Sequence, residues 1–201
     1  MPGPNQAAAA PLAACPSRTR VDDWRQWLLG HAAGDPNARP LASMLASQQC
    51  GRGAMPDWLG LGAAEFKALV AHHFPALPLS ALQQTGCTLD PSRLDELDEL
   101  VRLLLNDIAR PSGNQRWLAV IVATGCMGSD HLWQDLGLWE RAELSQLMER
   151  NFPAVAQRND ADMKWKRFLY KQLCETEGIY TCRSPSCEVC VDYHVCFGPE
   201  N

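Results

Sequence analysis

The chain has 201 residues, room for one domain or two small units sharing a core, and 46% of it is apolar, so most of it should fold. Its net charge of −5 excludes the basic footprint with which a nucleic-acid binder replaces phosphate counterions. No apolar run approaches the roughly 20 residues a membrane-spanning helix requires, so no membrane partner is expected.

The opening MPGPNQAAAAPLAAC is rich in alanine and proline, and no Lys or Arg precedes its apolar part. It lacks the charged start of a secretory signal, so residues 1–19 read as a disordered tail and the chain as cytoplasmic. A helical domain over 20–179 follows, with helices near 21–30, 40–50 and 62–73. The third ends in His72-His73, where histidine suits the negative end of the helix dipole, a structural role.

Over Asp90–Ala109 the residues Leu94, Leu97, Val101, Leu104 and Ile108 recur at helical steps, and Asp90-Pro91 supplies a cap and a favoured first residue. Further helices are expected near 114–126 and 140–150. Asn159 with Asp160 and Asp162 should open one more, with Gly178 closing it. On that last helix Trp165, Phe168, Leu169 and Leu173 form an apolar stripe, while Lys164, Arg167, Lys171 and Cys174 share another face. There is no hairpin signal and no alternating β-branched run, so the fold class is all-α, a helical bundle with an irregular cysteine-rich tail over 180–201.

Two stretches of the bundle resemble each other. Cys50 leads to Asp57-Trp58-Leu59-Gly60-Leu61, Ala64-Glu65 and Phe74-Pro75-Ala76-Leu77. Cys126 leads to Trp133, Asp135-Leu136-Gly137-Leu138, Ala142-Glu143 and Phe152-Pro153-Ala154-Val155. The pattern suggests a duplication of about 75–80 residues, over about 40–110 and 115–179, longer than common solenoid repeats. Chance similarity between amphipathic helices is the plain alternative.

Nine cysteines is a high and odd number. In a reducing compartment, cysteines gathered in sequence mean metal or catalysis more often than disulfides. Cys15, Cys50, Cys87, Cys126 and Cys174 are scattered, whereas Cys182, Cys187, Cys190 and Cys196 crowd the last 20 residues as C-x4-C-x2-C-x5-C. Soft thiolates at such spacings can converge on one centre, selecting zinc, Cu(I) or an iron–sulfur cluster. The first three spacings are those of plant-type ferredoxins. Zinc sites more often draw on two short pairs with a long spacer, and here there is one CxxC pair. Cluster, zinc and redox thiols all remain open on spacing alone. No P-loop, GxGxxG or nucleophile elbow points to a turnover enzyme.

The tail, with Cys126-Met127, His131-Leu132-Trp133-Gln134-Asp135-Leu136-Gly137, Met163-Lys164-Trp165-Lys166-Arg167-Phe168 and Cys196-Phe197-Gly198-Pro199-Glu200, resembles the NifQ family of nitrogen-fixing bacteria. The resemblance spans roughly residues 115–200. It implies a carrier rather than an enzyme, one that binds iron–sulfur and molybdenum–iron–sulfur clusters. Such a carrier supplies molybdenum for the nitrogenase iron–molybdenum cofactor, with the cofactor-assembly scaffold and the nitrogenase iron protein as partners. By position, Cys182, Cys187, Cys190 and Cys196 would be the cluster ligands. Cys126 and His131 are secondary candidates to complete a metal site or hold molybdenum, against a plain reading as a buried cysteine and a capping histidine. His194 could donate to a tail thiolate, and Cys174 could relay a metal. The rival from another class is a helical protein–protein adaptor whose tail is locked by structural zinc.

Overall fold

The segments Ala38–Gln49 and Gly113–Cys126 mix Leu, Ile, Val and Met with Ala, Ser, Thr and Gly, a composition that lets a helix be buried on every side. They form α2 and α5, and both lie at the centre of the computed structural model, which describes residues 18–177. Every residue from Pro40 to Gln48 is buried, as is every residue from Ile121 to Cys126. Residues 1–17, Gly178 and the four tail cysteines, with Cys15 and His194, lie outside the described residues.

Amphipathic helices wrap this pair. Helix α1 (Arg18–Leu29) packs on α2 with Val21, Trp24 and Leu28 inward. Helix α3 (Ala63–His73) follows a turn over Asp57–Gly60 in which Trp58 and Leu59 take left-handed φ of 57° and 55°. Helix α4 (Leu94–Leu105) buries Leu97, Leu100 and Leu104 against α5. After α5 come the short α6 (Leu132–Asp135), then α7 (Arg141–Asn151), α8 (Pro153–Arg158) and α9 (Trp165–Glu177). Among the described residues there is no strand, and no helix is long and apolar enough to cross a membrane.

The helix positions differ from the sequence reading in four places. Asp90 does cap, its carboxylate accepting the Ser92 N–H, but it caps a 3-10 turn over Pro91–Arg93 that then runs into α4. That helix ends at Leu105, four residues short of Ala109. Asn159 opens no helix: its side-chain amide brackets Met163, accepting the N–H at 2.8 Å and donating to the carbonyl at 3.0 Å. Asp162 sits at φ 49°, so α9 starts only at Trp165. Arg18 and Thr19, assigned to the tail, belong to α1.

The two similar stretches meet through matching contacts. Helices α3 and α7 both end on a phenylalanine, Phe74 at φ −136°, ψ 63° and Phe152 at φ −133°, ψ 56°, and both rings are fully buried. Gly60 (φ 82°) faces α5 so closely that a Cβ there would stand 2.3 Å from Thr124 Oγ1. Gly137 (φ 74°) faces α2, where a Cβ would stand 2.6 Å from Ser47 Cβ, and its carbonyl accepts the Ser47 hydroxyl at 2.6 Å. The helix ends cross over in the same manner. His73 Nε2 meets Asn114 Oδ1 at 2.9 Å, while Asn151 and Asn37 exchange two amide hydrogen bonds of 2.9 and 3.0 Å. Each half therefore closes its inner helix with a glycine turn from the other half.

Candidate functional site

Helix α9 is the last described element before the four tail cysteines in sequence. Trp165, Phe168, Leu169 and Tyr170 are buried, and the Trp165 indole N–H donates to Ser145 Oγ at 3.0 Å. Lys166 lies on the same inward face, one turn before Leu169 and Tyr170, and its side chain is 8% exposed. A buried ammonium must be paired and hydrogen-bonded, and Lys166 is both. It donates to the carbonyls of Gly128 (3.0 Å) and Asp130 (2.7 Å) and to the carboxylate of Asp135, whose side chain is 3% exposed.

Asp135 also accepts the Asp130 backbone N–H at 3.1 Å. Burial pushes its carboxyl above the usual carboxylate range, and the Lys166 ammonium opposes that rise. Gly128 makes the arrangement possible, because a Cβ there would fall 2.3 Å from Asp135 Cγ. The segment Met127–His131 is thus wrapped around one ammonium belonging to the helix that bears the tail.

One turn further along α9, Tyr170 donates to Glu96 and receives Arg93 Nη2 at 3.2 Å. Arg93 also donates to the Met127 carbonyl at 2.6 Å, so α4 and α9 hold the end of α5 between them. Burial raises the Tyr170 phenol, and the bond to Glu96 raises the Arg93 guanidinium further above its ordinary value.

Of the secondary candidates, Cys126 is fully buried at the end of α5. Burial pushes its thiol up to about 12, with Lys166 opposing. At neutral pH it is a thiol and not the thiolate that attacks or ligates. His131 lies at the outer end of the loop, where its carbonyl accepts the N–H groups of Gln134 (2.8 Å) and Asp135 (2.9 Å) at the start of α6. Its own N–H goes to Gln134 Oε1 at 3.3 Å, and the residue is half-exposed. Cys174 is half-buried on α9, Cys50 is buried and Cys87 is exposed.

Sequence reading had quoted Asp135 and Lys166 within separate motifs without pairing them, and had passed over Glu96 and Tyr170. The available signal was Lys166 itself, a cation three residues before the buried Leu169 beside an apolar stripe. A lysine there must find an anion.

A family model described as NifQ matches residues 40–198, a span that includes all four tail cysteines. Protein NifQ of Azotobacter vinelandii is 43% identical over 170 residues, covering 80% of this chain and 87% of that protein. Protein NifQ of Rhodobacter capsulatus is 35% identical over 160 residues, again 80% of this chain and 87% of the relative. Protein NifQ of Klebsiella pneumoniae is 33% identical over 183 residues, covering 87% of this chain and 97% of the relative. No solved structure matches the chain.

Proposed function

The chain belongs to the NifQ family, and from that premise we propose that it works in nitrogen fixation as a carrier that supplies molybdenum for the nitrogenase iron–molybdenum cofactor. The observation that carries this reading is the donor set Cys182, Cys187, Cys190 and Cys196, which lies within the span matched by the family. Four closely spaced thiolates fit an iron–sulfur cluster and a molybdenum–iron–sulfur cargo, and suit hard oxygen-seeking cations poorly. His131, at the surface end of the loop that Lys166 gathers, is proposed as a further donor to molybdenum.

In this reading the helical body holds and presents. Lys166 and Asp135 fix the start of α9, the last described helix before the cysteines in sequence, to the loop that follows α5. The acceptors are the cofactor-assembly scaffold and the nitrogenase iron protein, and the setting is cytoplasmic. The rival is an adaptor with a zinc-locked tail.

Elemental analysis separates the two. Protein purified without oxygen from molybdate-supplied cells is expected to contain iron and acid-labile sulfide, with molybdenum alongside. Zinc alone, near one equivalent per chain, would replace the carrier by the adaptor.

A further inference from the structure

The far side of the bundle holds a second set of metal-ligating groups that no part of the carrier reading uses. We infer that Asp35, His72 and His73 form a binding site for a divalent transition metal of the zinc class, distinct from the cysteine tail and independent of the function proposed above.

The argument begins with His73, which ends α3 and is 0% exposed. Its Nε2 meets the Asn114 amide oxygen at 2.9 Å. An amide oxygen can only accept, so Nε2 carries the proton and Nδ1 carries a lone pair. That Nδ1 is buried and makes no hydrogen bond. Asp35 Oδ1 stands 3.5 Å from it, presenting a second lone pair. A buried acceptor without a donor keeps the full cost of its lost hydration, and a facing carboxylate adds repulsion. A cation between the two converts both losses into bonds.

A third donor is at hand. His72 Nε2 lies 3.8 Å from Asp35 Oδ2, and one ligand atom from each of the three residues falls within 4.8 Å of the others. A tetrahedral shell with bonds of about 2.0–2.2 Å sets neighbouring ligand atoms about 3.3–3.6 Å apart. Closing on an ion therefore requires separations of up to 4.8 Å to shrink by as much as about 1.2–1.5 Å, a movement the exposed His72 side chain can supply. Asn114 takes the part usual for the outer partner of a ligating imidazole, holding the far nitrogen and so the ring's orientation.

The other half of the bundle supplies an internal comparison. At the end of α7 the place of His73 is taken by Asn151, which satisfies its amide completely through Asn37 and the Leu147 carbonyl. An amide closes that crossing without an orphaned atom; the histidine leaves one, and leaves it aimed at a carboxylate. The loop bearing Asp35 is also held in place. Ala33 N–H donates to the His73 carbonyl at 2.9 Å, and Asp35 Oδ1 accepts the Asn37 N–H at 2.7 Å. The His72 side chain is 52% exposed, which leaves the outer coordination positions to water. Two imidazoles and one carboxylate favour Zn2+, Co2+ or Fe2+ over thiophilic ions.

The test uses the full chain, freed of metal, with Co2+ as the probe. Near-ultraviolet thiolate-to-cobalt charge transfer reports the tail, and equilibrium dialysis counts total cobalt. Wild-type protein is expected to bind one more equivalent than His72→Gln or Asp35→Asn, with the thiolate band equal in all three. Asn114→Ala should weaken that equivalent about 10–100-fold. Equal cobalt counts in wild type and His72→Gln would overturn the site, leaving an ion pair at a helix end. His72 is half-exposed, so that variant folds whatever becomes of Asp35→Asn. Absence of the thiolate band from every protein would bear on the tail alone.

Discussion

Replacing Lys166 by methionine removes one charge and three hydrogen bonds in a single step, because its ammonium serves Asp135 and the carbonyls of Gly128 and Asp130. With side-chain exposures of 8% and 3%, neither partner can turn to solvent. Breaking such a buried pair from one side costs about 3–5 kcal/mol, since it strands the other charge. For a domain of this size that corresponds to a fall of roughly 6–20 °C in Tm. The loss comes mostly from Asp135, whose carboxyl burial already pushes upward and which would then protonate. Lys166→Met combined with Asp135→Asn should therefore lose less than the sum of the two single changes. Urea denaturation followed by tryptophan fluorescence gives the full cycle. A single Lys166→Met loss below about 1 kcal/mol, or strict additivity, would show that the ammonium does not hold the loop.

Shorter predictions accompany this one. Gly137→Ala should destabilise by about 1–3 kcal/mol more than Gly51→Ala in urea titration, because both have positive φ but only Gly137 meets Ser47. At pH 8 an alkylating reagent should modify Cys87 well before Cys50 or Cys126, read by peptide mass mapping. The Cys126 thiol is raised by burial to about 12, so its contribution to stability is complete below about pH 8.5 and is lost as pH climbs through about 12, by about 1.4 kcal/mol per unit; Cys126→Ala should remove that slope from alkaline denaturation curves. Cys187→Ala should abolish iron and sulfide loading with the far-ultraviolet helical signal unchanged, and His131→Ala should lower molybdenum relative to iron in the loaded protein.

Periodicity made the long helices legible: Leu97, Leu100 and Leu104 of α4 and Trp165, Phe168 and Leu169 of α9 recur at helical steps and are buried, whereas Leu94, read as the start of the α4 stripe, is 50% exposed at the helix end. Short α6 and α8 were not legible, because four to six residues carry too few turns to show a period. Asn159 misled because an Asn can cap a helix or bracket a loop with the same side chain, and only the position of Met163 decides. The tail cysteines were singled out by spacing, their cluster-ligand role came from the family resemblance, and they lie outside the described residues. His72 and His73 do end α3, but burial of His73 disfavours the charged imidazole that the dipole reading needs. What spacing could not reveal was Asp35, 37 residues upstream of His72, brought opposite by the loop between α1 and α2. Lys166 and Asp135 escaped for the same reason, since pairing across 31 residues is set by packing and leaves no local pattern.

The crossing of the two halves has a consequence for synthesis. Ser47 reaches its acceptor, the Gly137 carbonyl, 90 positions later in the chain, and Thr124 closes over Gly60 only once α5 exists. Helix α2, buried on every side from Leu41 to Leu45, thus leaves the ribosome well before the α5 helix and the Gly137 turn that help cover it. At about 5–20 residues per second the interval is roughly 5–20 s. During that interval the nascent chain displays the stretch Leu41–Leu45 as a ready binding segment for a chaperone, and slow translation between residues 50 and 137 would lengthen the exposure.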